Sequence, residues 1–132
     1  MTINTESNLL SSIYNGQKDK RLKISIIYSK NIMEILKILY KEGYIRGYKL
    51  LLSNVSTEKK IEIYLKYTNN VPAIKSIQKI SLSSRKIYIS LLDLKNLKTI
   101  YGNYILSTSK GFLTNKDALK HHIGGELLYK IL

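Results

Sequence analysis

The sequence predicts an α+β protein of two small subdomains: an amino-terminal helix-strand-helix-strand-strand unit and a carboxy-terminal, mostly β unit with short helices. Three observations predict it. In the first half of the chain, segments with apolar residues at helical spacing alternate with segments of period two. In the second half, short strand-like runs dominate. Between the halves stands Thr68-Asn69-Asn70-Val71-Pro72, a cluster of turn formers that holds the only proline. The division is placed there, giving subdomains 1–70 and 71–132.

From Glu6 to Tyr14 the residues Leu9, Leu10 and Ile13 share one helical face, and Asn15-Gly16 reads as its C-cap. After a polar loop from Gln17 to Arg21, Leu22, Ile24 and Ile26 alternate with Lys23 and Ser25 as a half-buried strand does. Ser29 is an N-cap for a helix carrying Ile32, Ile35, Leu36 and Leu39, which Gly43 stops. Tyr44 to Leu52 reads as a strand with a bulge at Gly47. Its partner has Ile61, Ile63 and Leu65 alternating with Glu62, Tyr64 and Lys66, across a polar loop from Ser53 to Lys60. In the second unit, Ile74 to Ser81 and Lys86 to Ser90 are predicted strands, and Leu91, Leu94 and Leu97 give a short helix. Tyr104 to Leu106 is a strand, Thr114 with Asp117 is a capping box opening a brief helix through Lys120, and Glu126 to Ile131 is the last strand.

With 132 residues and 44% apolar content, the chain can bury a core and is no disordered basic tail. Its net charge of +13 points to a polyanionic partner. Of 22 basic residues only Arg21, Arg46 and Arg85 are arginines. Lysine is a point charge suited to phosphate, whereas bidentate reading of base edges calls for arginine, so backbone and shape readout is expected over a sequence code. With no cysteine, disulfides and thiolate metal sites are excluded. No run reaches the apolar length of a membrane span, and neither a signal peptide nor an arginine-rich transit peptide is visible. Abundant Ile, Lys, Asn and Tyr suit an AT-rich genome, which makes an organelle-encoded protein the expectation.

The stretch richest in chemistry is Ser107-Thr108-Ser109-Lys110-Gly111, to which Gly124-Gly125-Glu126 returns. Three hydroxyls, an ammonium and a glycine offer donors at several angles and a backbone that can turn closely, which suits an anion. A plain solvated turn is the competing reading. Ser107 and Lys110 also match the S-x-x-K spacing of an acylatable serine, but the Ser-Asp-Asn and Lys-Thr-Gly partners of that chemistry are missing. Nor is this a P-loop, which needs a second upstream glycine and Gly-Lys-Ser/Thr order.

Tyr14-Asn15-Gly16-Gln17, Lys41-Glu42-Gly43-Tyr44-Ile45, Leu65-Lys66-Tyr67, Ser76-Ile77-Gln78-Lys79-Ile80-Ser81, Ile87-Tyr88, Ser107 to Gly111 and Gly124-Gly125-Glu126 follow in a recognisable order and spacing. From about Leu9 to Leu132 the chain resembles the bacterial-type small-subunit ribosomal protein S8 family. The resemblance implies a two-subdomain α+β protein that binds a helical junction in the central domain of small-subunit ribosomal RNA early in assembly. Ser107, Thr108 and Ser109 become RNA-contacting hydroxyls in the minor groove, the accessible face of A-form RNA, and Lys110 a phosphate contact. Gly124 and Gly125 allow close backbone approach, Glu126 orients donors or accepts from a base amino group, and Tyr88 presents an aromatic surface to the same RNA. Ser29 and Lys30 match a Ser-Lys pair at a helix start, where backbone N–H groups favour phosphate.

The chain also departs from the family. Leu82, Ser83 and Ser84 stand where Arg-Pro-Gly is usual, so a basic contact and a rigid turn are missing, with Arg85 and Lys86 as neighbouring replacements for the charge. Ile27-Tyr28 stand where the family has Pro-Ser before Ser29. The resemblance implies no cofactor, no metal, no small-molecule substrate and no membrane. Its partners are small-subunit ribosomal RNA and neighbouring ribosomal proteins, around a monomer within a mitochondrial, plastid or bacterial ribosome. Adjacent His121 and His122 read as surface histidines, since helix neighbours do not share a face. The carboxylates are scattered, with Glu58 and Glu62 offsetting nearby lysines. Tyr40, Tyr48, Tyr64 and Tyr67 read as packing residues. Two alternatives stay open: a small hydrolase or transferase using Ser107 and Lys110, and a basic protein on an anionic membrane, the latter lacking long basic amphipathic helices.

Overall fold

The computed structural model describes residues 5–52, 59–82, 84–97 and 103–132. The chain divides into two compact units, Met1–Ile74 and Lys75–Leu132.

The first unit runs α1 (Thr5–Lys18), β1 (Lys23–Ile27), α2 (Lys30–Lys41), β2 (Ile45–Leu51), β3 (Lys60–Leu65), β4 (Tyr67–Thr68) and β5 (Val71–Pro72). Its antiparallel sheet has the order β1-β3-β2. Period two puts Ile61, Ile63 and Leu65 on one face, where they are buried with Leu9, Leu10 and Ile13 of α1 and Ile32, Ile35, Leu36 and Leu39 of α2. Ser29 caps α2 by accepting from the Ile32 amide at 3.2 Å. At the other end Gly43, at φ 82°, lets Tyr44 N–H bond back to Leu39 at 2.8 Å. Most of the loop expected from Ser53 to Lys60, Glu58 included, lies outside the described residues.

The C-cap expected at Asn15-Gly16 is corrected. The helix continues to Lys18, and Lys20, at φ 56°, takes the left-handed position that closes it. Gly16 is there for packing: a Cβ would come within 2.9 Å of Ile24 Cγ2 and 3.0 Å of Leu65 Cδ1. One residue later, Gln17 is 97% hidden, with relative exposure of 3%. Its amide donates to the Ile74 carbonyl at 3.2 Å and accepts the Ile74 N–H at 3.3 Å, mimicking a strand pairing. The turn formers Asn69-Asn70 make a two-residue hairpin between β4 and β5, both with positive φ as a type I′ turn demands.

The second unit runs β6 (Ile77–Lys79), β7 (Tyr88–Ile89), α3 (Leu91–Lys95), β8 (Asn103–Thr108), β9 (Gly111–Thr114), α4 (Asn115–Lys120) and β10 (Gly125–Ile131). The sheet order is β6-β10-β8-β9, with β7 also pairing with β10, so the last strand is the spine of the unit. Leu94, Leu106, Ala118 and Leu127 form its core. The predicted strands 74–81 and 86–90 shrink to three and two residues. The chain flanking β6 is held instead by Lys75 N–H to Leu132 O at 2.7 Å and Ile80 N–H to Leu128 O at 2.9 Å. The strand Gly111–Thr114 was not expected. It is too short to show a period, and its last residue is also the cap of α4, donated to by Asp117 N–H at 3.2 Å.

A candidate nucleic-acid interface

The serine stretch is the tip of a β-hairpin. β8 and β9 pair from Ile105–Thr114 to Thr108–Gly111, leaving Ser109 and Lys110 as the exposed turn residues. Gly111 holds φ at 97°, a value other residues rarely adopt. The Thr108 hydroxyl locks the tip from inside, donating to Gly111 O at 2.8 Å and accepting from Lys110 N–H at 3.1 Å. Its proton is therefore used within the hairpin. Ser107 is half-buried on the strand, and Ser109 and Lys110 are the groups presented outward.

The glycine pair returns to this hairpin in register. Glu126 is the cross-strand partner of Ser107 on β8 and of Tyr88 on β7, and Ser107 is in turn the partner of Phe112 on β9. Directly opposed residues share a face, so Tyr88, Glu126, Ser107 and Phe112 form one row across four strands. The opposite face of the same ladder carries Leu127, Leu106 and Leu113, which belong to the core. Tyr88 is 70% exposed, while Glu126, Ser107 and Phe112 are half-buried.

Gly124 and Gly125 do allow close backbone approach, but the backbone they approach is the protein's own. A Cβ on Gly124 would run into Ile89 O and lie 3.1 Å from Ser90 Cα; one on Gly125 would run into Ser107 O and lie 2.9 Å from Thr108 Cγ2. These glycines let β10 lie tightly between β7 and β8 and so hold the row together.

Ser81, quoted above only as part of a motif, is a brace that sequence reasoning missed. It is buried; its hydroxyl donates to Leu127 O at 2.6 Å and accepts from Ile87 N–H at 3.0 Å. Those two partners immediately flank Glu126 and Tyr88 in sequence. No sequence signal marks a serine for that task. The turn that follows closes without Pro-Gly: Leu82 and Arg85 exchange N–H to O bonds of 2.9 and 3.1 Å. Ser83 lies outside the described residues. Arg85 and Lys86, both exposed, lead directly into β7 and Tyr88.

The structure thus brings together Lys86, Tyr88, Ser107, Thr108, Ser109, Lys110, Gly124, Gly125 and Glu126. Ser29 and Lys30 belong to the other unit, where Ser29 is half-buried as the α2 cap and Lys30 is exposed. His121 caps α4 and His122 takes φ 55° beyond it, both on the surface.

The family model described as Ribosomal protein S8 matches residues 4–132. The chain belongs to the ribosomal protein S8 family. It is 41% identical over 122 residues to the small ribosomal subunit protein uS8 of Ehrlichia canis, an alignment covering 92% of each chain. It is 39% identical over 127 residues to the small ribosomal subunit protein uS8m of Acanthamoeba castellanii, covering 95% of this chain and 96% of that one. Identity to uS8 of Mycoplasmopsis pulmonis is 38% over 122 residues, covering 92% and 91%. S8 proteins are structural constituents of the small ribosomal subunit and not enzymes, so the hydrolase or transferase reading of Ser107 and Lys110 is set aside.

Proposed function

We propose that this S8 protein binds a helical junction in the central domain of small-subunit ribosomal RNA through the β8–β9 hairpin and the Tyr88–Glu126–Ser107 row, and so contributes to subunit assembly. The observation that carries the reading is the register of that row beside an outward-facing Ser109-Lys110 tip. An A-form minor groove is wide and shallow and displays 2′-hydroxyls, which serine hydroxyls can both donate to and accept from. Glu126 accepts base amino or ribose hydroxyl groups, Tyr88 covers an irregular base pair, and Lys86 and Lys110 meet flanking phosphates. Thr108 serves as an internal lock in this reading. Ser29 and Lys30 supply a phosphate contact from the first unit. Neighbouring small-subunit proteins complete the surroundings of a single copy.

Residence in a mitochondrial ribosome is the finer reading of location. Its support is the AT-rich composition and the likeness to the Acanthamoeba uS8m protein, against bacterial relatives of similar identity. Binding of the full chain to a central-domain transcript and to a plain RNA duplex of equal length tests the RNA reading. Tighter binding to the junction at the same salt is expected; equal affinity for both contradicts it.

A further inference from the structure

We infer that the face of the amino-terminal sheet opposite α1 and α2 is a second RNA-binding surface, one that takes an unpaired nucleotide. It shares no residue with the hairpin site and stands whether or not that site reads a junction. One face of the β1-β3-β2 sheet is covered by α1 and α2; the other carries Lys23 beside Tyr64 and Gly47, and Ser25 beside Glu62 and Lys49. Lys60 follows in the next row, between Ile27 and Leu51. The register shift between Ile45 and Gly47 sets Arg46 opposite the same strand position, and Arg46 is exposed. Four cations against one carboxylate make this face strongly positive.

Tyr64 lies at its centre. The Tyr64 hydroxyl donates to Glu62 Oε1 at 2.8 Å, and Glu62 is two residues back on the same face, so the half-buried ring lies along the strand. Lys23 Nζ reaches the same carboxylate oxygen at 3.2 Å, which leaves the second oxygen to accept from a base amino group. Gly47, across from the ring, has nothing within 4 Å of where a Cβ would be, so the space beside the ring is open. A depression of about 460 Å³ is lined by Leu22, Lys23, Arg46 and Tyr64. A second, of about 370 Å³, shares Leu22 and Arg46 and reaches Lys20, Tyr67 and Asn70. Together they make a shelf with an apolar and aromatic floor and ammonium and guanidinium groups at its rim.

The chemistry favours nucleic acid over a protein segment. Cores of protein interfaces are poor in lysine, and here Lys23, Lys49 and Lys60 stand on one face with Arg46 beside them. Tyr64 can stack on a base only when that base is unpaired, and base-aromatic stacking tolerates any sequence. The surface therefore fits a single strand whose bases meet Tyr64 and Leu22 while its phosphates meet Arg46, Lys49 and Lys20.

The full chain, titrated with a fluorescent single-stranded oligouridylate, tests this. Arg46→Glu with Lys49→Glu should weaken binding roughly tenfold, the loss expected for removing and reversing phosphate contacts. Tyr64→Leu should weaken it about fivefold or more, through lost stacking. Ser109→Ala should leave it unchanged, which separates this surface from the hairpin. Ultraviolet crosslinking of 5-iodouridine RNA to the wild-type chain should map to Tyr64 and needs no variant to fold. The inference fails if the charge reversals leave affinity unchanged, if crosslinks map away from this face, or if polyglutamate displaces the RNA with higher affinity, which would mark an acidic protein partner.

Discussion

Glu126 and Ser107 are direct partners across the ladder between β10 and β8, and Tyr88 is in register on the other side of Glu126. An acceptor, a hydroxyl and an exposed ring are spaced by strand geometry alone, about 5 Å from one to the next. The row keeps its spacing only while β10 lies close to both neighbours.

Gly125→Ala tests that dependence. The added methyl would meet Ser107 O and Thr108 Cγ2, so the strands must part. Overpacking of this kind costs about 1–3 kcal/mol. Thermal unfolding should show a lower midpoint, and RNA affinity should fall even for the variant fraction that stays folded.

Ser109→Ala should weaken binding to the cognate junction by about fivefold, the worth of one hydrogen bond, while binding to plain duplex changes little. Competition between the two RNAs measures the difference. Equal losses on both would remove the hairpin tip from the specificity argument.

Gln17→Ala should destabilise the first unit without touching RNA chemistry. The Ile74 N–H and carbonyl would both lose buried partners, at a cost of about 1–3 kcal/mol each. Urea titration should show an earlier transition, with junction affinity of the folded chain unchanged.

Glu62 gives a pH signature. The hydrogen bond from the Tyr64 hydroxyl, and then that from Lys23, hold its carboxyl below the ordinary glutamate value. A carboxyl lowered on folding binds its proton more weakly in the native state. Its contribution is complete above the unfolded value and is lost as pH falls through the lowered folded value. Stability of the wild type should therefore decline more steeply than that of Glu62→Gln as pH falls below the ordinary glutamate value, measured by denaturant midpoints.

Much of the fold was legible where local signals agreed. Ser29, the spacing of Ile32, Ile35, Leu36 and Leu39, and Gly43 all mark α2, and the structure uses each for the purpose its chemistry suggests. The end of α1 was not legible, because Gly16 answers to Ile24 and Leu65 across the fold and not to the helix that contains it. Tyr64 read as a packing residue of the core or sheet, and it lies half-buried on the sheet face opposite Ile61, Ile63 and Leu65, bonded to Glu62. At the candidate interface, the sequence marks Ser107 to Gly111 and Gly124 to Glu126 as neighbours. The register that pairs Glu126 with both Ser107 and Tyr88, and the buried brace at Ser81, depend on contacts between distant segments that no local pattern records.

The most direct test of the account is a density map of an assembled small ribosomal subunit containing this chain. Ser109 and Lys110 are expected against an RNA minor groove, with Tyr88 and Glu126 facing the same helix. A hairpin tip enclosed by another protein, or standing in open solvent with no RNA beside it, would contradict it.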